Sequence, residues 1–225
     1  MDLTVIGSGS DGNCYLLACQ GEILILECGC HVREVKKKLG FDLSHLAGCF
    51  VSHVHSDHAG YVKEFASLGI PIFTPYKTGL ERVSTRMKGF FLEAFMVPHG
   101  DTCCYGMLIS HRSGEKAIYI TDFRYCKYRF DKIGVQHFFV ECNYQKEYID
   151  PDAPNYAHKA GAHCSLDTCL GFVAANKTDA LRSVILMHLG AGSIGAEMVE
   201  KVKEAVPGPV FVDYARADEC YELGG

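Results

Sequence analysis

Apolar residues recur along this chain in short runs separated by turns rich in glycine and polar residues. Runs at 3–6, 14–19, 22–26, 48–52, 70–74, 90–97, 105–111, 117–121, 137–141, 183–187 and 209–212 read as β-strands. Helical spacing covers 32–39, which stops at Gly40, and 59–68, which is closed by Gly69. A basic stretch from 78 to about 86 also reads as helical, as do 165–175, with Ser165 as N-cap, and 194–205. Strands dominate early, and strand–helix alternation runs throughout. The pattern predicts an α/β (α+β) chain with two sheets, or one large mixed sheet, and helices outside. No Pro/Ser-rich linker, internal repeat or low-complexity segment interrupts it, so residues 1–225 are read as a single domain.

Apolar residues make up 48% of the chain and charged residues 22%, enough apolar content for a sizeable core. No apolar run approaches the ~18 residues of a membrane span, and the first residues lack a basic stretch ahead of an apolar one. A cytoplasmic, non-membrane protein is expected. The 22 basic and 27 acidic side chains leave a net charge of −5, which weighs against a wholesale nucleic-acid binder but leaves room for a local basic groove. The 12 cysteines are scattered without a Cys-x-x-Cys knuckle and read as reduced thiols. The 11 histidines are the informative excess.

Gly7-Ser8-Gly9-Ser10-Asp11-Gly12 fits the dinucleotide-binding glycine pattern literally and follows a strand. That reading requires a helix directly after the glycines. The segment 14–19 is short, β-prone and soon broken by Gln20-Gly21, so a turn between two strands is expected instead; an intermediate reading sets that turn at the rim of the active site.

His53-Val54-His55-Ser56-Asp57-His58 follows the strand that ends at Ser52. In an extended backbone, residues two apart point the same way, so His53 and His55 can share one metal. The chain then turns into a helix, which lets Asp57 and His58 reach a second. Imidazole and carboxylate suit zinc, and also manganese or iron. Four ligands cannot fill two sites. Three further polar residues end apolar strands: His99, Asp122 and His188. Together with the hexapeptide they complete two sites.

These residues make the chain resemble the metallo-β-lactamase-fold hydrolases. Leu24-Ile25-Leu26-Glu27-Cys28-Gly29 sits where that family has an apolar strand ending in Asp and Gly. The resemblance implies a four-layer αββα sandwich. It implies that His53, His55 and His99 hold one divalent metal ion, Asp57, His58 and His188 a second, and that Asp122 bridges them. The opening 6–17 and the element Ala162-His163-Cys164-Ser165-Leu166 are similar to the YycJ/WalJ-type branch, classed with DNA exonucleases. Glu141-Cys142-Asn143 resembles that branch's Glu-x-Asn segment. Two departures stand out. Glu27 replaces the family's usual Asp, and the chain has no room for the large appended domains that some nucleases of this family carry.

The expected activity is that of a binuclear metal-dependent hydrolase, foremost a phosphodiesterase or nuclease of exonuclease type. Two cations would share a water, lower its pKa and, with Asp57 and Asp122 as catalytic carboxylates, direct the resulting hydroxide at phosphorus. By the resemblance, His163 protonates the leaving oxygen or holds the phosphate, with Ser165 helping. Arg124, Lys127, Arg129 and Lys132 follow Asp122, and Arg124 and Lys127 are candidate substrate contacts. Tyr125 and Tyr128 are placed to stack on bases. A second basic group comprises Lys77, Arg82, Arg86 and Lys88. The substrate partner is then nucleic acid or a small phosphodiester. The alternative is a small-molecule hydrolase on the same fold, such as a thioesterase, lactonase or small phosphodiesterase. A metal-binding protein with a degenerate site is the non-enzymatic reading. Oligomeric state is not legible.

Overall fold

The computed structural model describes residues 1–150, 152, 156–206 and 208–223. Its strands are β1 (Asp2–Gly7), β2 (Cys14–Cys19), β3 (Glu22–Leu26), β4 (Leu46–Phe50), β5 (Ile72–Phe73), β6 (Arg82–Met87), β7 (Phe90–His99), β8 (Thr102–His111), β9 (Lys116–Ile120), β10 (His137–Glu141), β11 (Ser183–Met187), β12 (Phe211–Tyr214) and β13 (Cys220–Glu222). The helices are α1 (Val32–Lys38), α2 (Ser56–Ala59), α3 (Val62–Ser67), α4 (Tyr156–Ala162), α5 (Leu166–Asn176) and α6 (Gly195–Ala205). Among the described residues, no helix is long and apolar enough to cross a membrane.

One sheet has the order β13-β1-β2-β3-β4-β5 and the other β12-β11-β10-β9-β8-β7-β6. Their inner faces share a core in which Leu3, Tyr15, Leu24 and Phe50 meet Leu92, Tyr105, Tyr119 and Ile185. On one outer face Val35 of α1 and Phe65 of α3 pack on Leu16, Ile25 and Cys49. On the other, Phe172 of α5 and Val202 of α6 pack on Ile118, Phe138 and Val184. The arrangement is a four-layer αββα sandwich.

The parallel strands decide where polar residues gather. β9, β10, β11 and β12 run parallel and β10 is buried along its whole length, as expected of strands covered on both faces. Val140 pairs with Ile120 and Glu141 with Met187, so Asp122, Glu141 and His188 emerge at one end. In the other sheet Leu26 pairs with Phe50 in parallel, which puts Glu27 and the histidine segment side by side. The Tyr105 amide donates to the Ser52 carbonyl at 3.2 Å and ties the two ends together.

The glycine-rich turn serves this junction. β2 follows it as a strand, and the turn hydrogen-bonds neighbouring backbone. Asn13 N donates to Asp57 O at 2.7 Å, and Gly29 N donates to Asn13 O at 2.8 Å. A Cβ on Gly29 would lie 1.8 Å from Asp57 O, so only glycine fits at this backbone crossing.

Three expectations are corrected. The stretch 78–86 contains no α-helix; it leads into β6, where exposed Arg82, Ser84 and Arg86 alternate with half-buried Val83 and Thr85. That two-residue period, with β-branched inner positions, suits an edge strand. The helix expected over 59–68 is two short helices, because the Tyr61 amide bonds Cys28 O at 2.9 Å. The last expected strand, 209–212, runs instead from Phe211 to Tyr214, and β13, only three residues long, follows to close the sheet against β1.

Phe50 is fully buried between the sheets. Phe50→Ala is expected to lower unfolding free energy by about 3–5 kcal/mol, read from denaturant midpoints at unchanged slope. Ser165→Ala, which removes the cap of α5, should cost about 1 kcal/mol in the same assay.

Candidate metal centre

The expected ligands converge in the crack between the two sheets. Ligand atoms of His53, His55, His99 and Asp122 all lie within 4.8 Å of one another, as do those of Asp57, His58, Asp122 and His188. Asp122 belongs to both groups. Its Oδ2 lies 2.9 Å from His58 Nε2 and 3.3 Å from His53 Nε2. Its Oδ1 lies 2.7 Å from His188 Nδ1 and 3.4 Å from His163 Nδ1. His55 Nδ1 faces His53 Nε2 at 3.0 Å and His99 Nε2 at 3.3 Å.

Backbone conformation aims these groups. Asp122 and His188 follow their strands with φ of 50° and 51°, and Glu27 has φ of 71°. Left-handed non-glycine residues are costly and persist where surrounding contacts hold them. Ser8 Oγ accepts from His188 N at 3.1 Å, and Asn143 Nδ2 donates to His188 O at 2.9 Å. Outer contacts orient the rings: His99 Nδ1 meets Ala162 O at 2.7 Å, His53 Nδ1 meets Ser52 Oγ at 2.9 Å, and His55 Nε2 meets Thr102 Oγ1 at 3.2 Å. Each contact leaves the opposite ring nitrogen turned into the cluster, the arrangement that metal-ligating imidazoles use.

Charge is distributed unevenly. Burial opposes protonation of His58 and His188, but the adjacent Asp122 carboxylate outweighs it and holds both well above the usual imidazole range. Burial pushes His53 the other way, to about 2, with the neighbouring His58 adding to the depression. Burial would raise Asp122 and Asp57; their histidine partners hold both carboxyls well below the ordinary range. The donor set fits divalent cations. It is made of imidazole nitrogens and carboxylate oxygens, and among the described residues His188 Nε2 is buried without a hydrogen-bond partner, 3.6 Å from Asp57 Oδ2.

Glu141 is a further member of the site that sequence reasoning does not place there. Its Oε1 lies 2.7 Å from His163 Nδ1 and 3.1 Å from His188 Nδ1, and its Oε2 accepts from the amides of Phe123 and Cys164, both at 3.1 Å. Glu141 closes an apolar strand just as Asp122 and His188 do, and that signal could have found it. Asn13 was also missed; its Nδ2 lies 3.0 Å from His58 Nε2. Glu27, in place of the usual Asp, points Oε1 at His58 Nδ1 across 3.6 Å and accepts from Ser52 N at 3.1 Å.

The expected substrate contacts divide. His163 joins the cluster and keeps part of its side chain exposed. Ser165 does not reach it: the residue is 3% exposed and its Oγ accepts from Thr168 N, so it caps α5. Lys127 forms an ion pair with Glu81, and Tyr128 lies under the Arg82 guanidinium at 4.6 Å. Arg124 is exposed and donates its amide to Pro98 O at 2.8 Å, one residue from His99. Arg86 pairs with Phe91 at the far end of β7, roughly 26 Å along the strand from His99, so Arg86 does not line the cluster.

The family model of the anti-Pycsar protein Apyc1 matches residues 1–71, the part that carries the glycine turn, Glu27 and the first histidine cluster. An anti-Pycsar protein Apyc1 from Paenibacillus xerothermodurans is 31% identical over 72 residues, which are 29% of this chain. The match likewise spans only 29% of that relative's length. The metallo-β-lactamase fold protein YhfI from Bacillus subtilis superposes with a TM-score of 0.72 at 18% identity, covering 98% of both chains. The short form of human tRNase Z gives 0.66 at 13% identity, covering 99% of both. The two packed sheets, the outer helices and these superpositions establish that the chain has the metallo-β-lactamase fold.

Proposed function

We propose that the chain is a metal-dependent phosphodiesterase acting on a small phosphodiester. The observation that carries this reading is His163, set against Asp122 and Glu141 at the edge of the ligand cluster. His53, His55, His99 and Asp122 would hold one divalent cation, and Asp57, His58, His188 and Asp122 a second, zinc being the metal best matched to this donor set and manganese or iron also suited. When bound, such cations act as Lewis acids and bring the pKa of water towards neutrality.

The chain's own groups supply the rest. Glu141 holds the His163 ring through Nδ1 and fixes its orientation at the edge of the cluster. Burial opposes the imidazolium, yet the hydrogen bonds it donates to the Asp122 and Glu141 carboxylates raise its pKa to about 9 in the metal-free protein. A proton donor beside the cluster suits an alkoxide leaving group, which departs poorly unprotonated. Exposed Arg124 is a candidate contact for the phosphate. A small phosphodiester is favoured over a long strand because Lys127 is neutralised by Glu81 and Tyr128 is covered by Arg82. The exonuclease reading, with its resemblance to the YycJ/WalJ-type branch, stands second; exposed Arg124 and Tyr125 favour it.

Removing the His163 imidazole should lower kcat by about 10²–10⁴ on a dialkyl phosphodiester but far less on bis(p-nitrophenyl) phosphate, whose leaving phenolate needs no proton. Equal losses on both substrates would remove His163 from acid catalysis. A substrate panel with zinc and with manganese tests the reaction class: cleavage of a thioester with all phosphodiesters intact sinks the proposal.

Cation binding is expected to release protons. His58 and His188 are held above their usual range and are protonated at pH 7 in the metal-free protein, and a ligand nitrogen must be bare. Apparent affinity for zinc should therefore rise with pH. Calorimetric titration at pH 7 in two buffers of different ionisation enthalpy measures the release. His53→Ala with Asp122→Ala should abolish metal retention in elemental analysis.

A further inference from the structure

A cleft of about 680 Å³ adjoins the ligand cluster. One wall is the turn between β7 and β8, including Asp101 and Thr102, and Thr102 Oγ1 is the group 3.2 Å from His55 Nε2. Tyr125, Met96 and the Lys127–Glu81 pair also line the cleft. A ligand anchored at the cluster can thus extend into it.

The lining has a definite chemistry. Tyr125 is 55% exposed, so a ring face is open to a ligand, unlike that of Tyr128. Glu81 and Lys127 cancel one another. Asp101 is exposed, and among the described residues no cation pairs with it. The cleft therefore keeps one net negative charge, an aromatic face and a carboxylate that only accepts hydrogen bonds when ionised. A second phosphate would meet repulsion here. An uncharged planar ring with adjacent N–H donors on one edge would be stacked and doubly hydrogen-bonded. Guanine presents such an edge, with its ring N–H beside its amino group. Uracil presents one N–H flanked by two carbonyl oxygens, which a carboxylate repels.

We propose that this cleft is the base subsite of a nucleoside phosphodiester, with Tyr125 stacking on the ring and Asp101 reading its donor edge. The site prefers guanine to uracil and refuses a continuing polynucleotide strand. This inference rests on the phosphodiesterase reading, and the experiment separates the two.

Zinc-loaded protein is assayed for turnover of 3′,5′-cyclic GMP and cyclic UMP, and for calorimetric binding of GMP and UMP. Tyr125→Ala is expected to raise KM for cyclic GMP and Kd for GMP roughly tenfold while kcat stays within about twofold. Asp101→Asn should cut the preference for GMP over UMP by about fivefold or more. Tyr148→Ala, which removes an exposed tyrosine outside the cleft, is the control. Wild-type protein that binds both nucleotides equally, or Tyr125→Ala indistinguishable from Tyr148→Ala, overturns the base subsite. GMP binding that depends on Tyr125 and Asp101 without turnover of any phosphodiester upholds the cleft and overturns the phosphodiesterase reading. Turnover indifferent to both substitutions does the reverse, and neither turnover nor binding overturns both.

Discussion

A carboxylate with almost no water around it must be met by positive charge or by hydrogen-bond donors, and Asp122 is 1% exposed. Much of the architecture answers that requirement. His58 arrives from α2 after β4 of the other sheet, His188 from the end of β11, and His163 from the segment between α4 and α5. The left-handed backbone at Asp122 and His188 is tolerated because these contacts over-determine it. The same packing that compensates the buried charge builds a set of nitrogen and oxygen donors open to cations.

The two sheets contribute unequally. The β3–β4 side supplies the closely spaced histidines and Asp57, held backbone to backbone by the glycine turn and Asn13. The β7–β11 side supplies one group per strand end, each placed by the parallel register or the β7–β8 turn. Those single groups differ in job. His99 and His188 face the cluster, whereas Glu141 stands behind His163 and His188 and fixes how their rings point. The cleft beside Thr102 then determines what a ligand held at the cluster has as its neighbour.

Much of the fold and of the cluster was legible in the chain because both rest on short-range rules. Apolar runs mark buried strands, and a polar residue closing such a run marks a strand end where a site can gather. The errors share a cause. The basic residues of β6 suggest a helix, but pairing with β7 imposes a two-residue period. The helix after the histidines broke where Tyr61 took a carbonyl from a distant segment. Glu141 passed as part of a resemblance because nothing local shows which histidine a carboxylate will meet.

The chain by itself determined the ligand chemistry and its spacing: His53 and His55 two apart on extended backbone, then Asp57 and His58 at the turn, and a set of single polar residues closing apolar runs. Only the tertiary structure decided which of those ends meet around Asp122 and which charged groups are left to act on a ligand. Lys127 and Glu81 are 46 residues apart yet neutralise each other, and Ser165 spends its hydroxyl on its own helix. Whether a side chain is available depends on the partners that folding brings to it, and those partners lie beyond the reach of any local pattern.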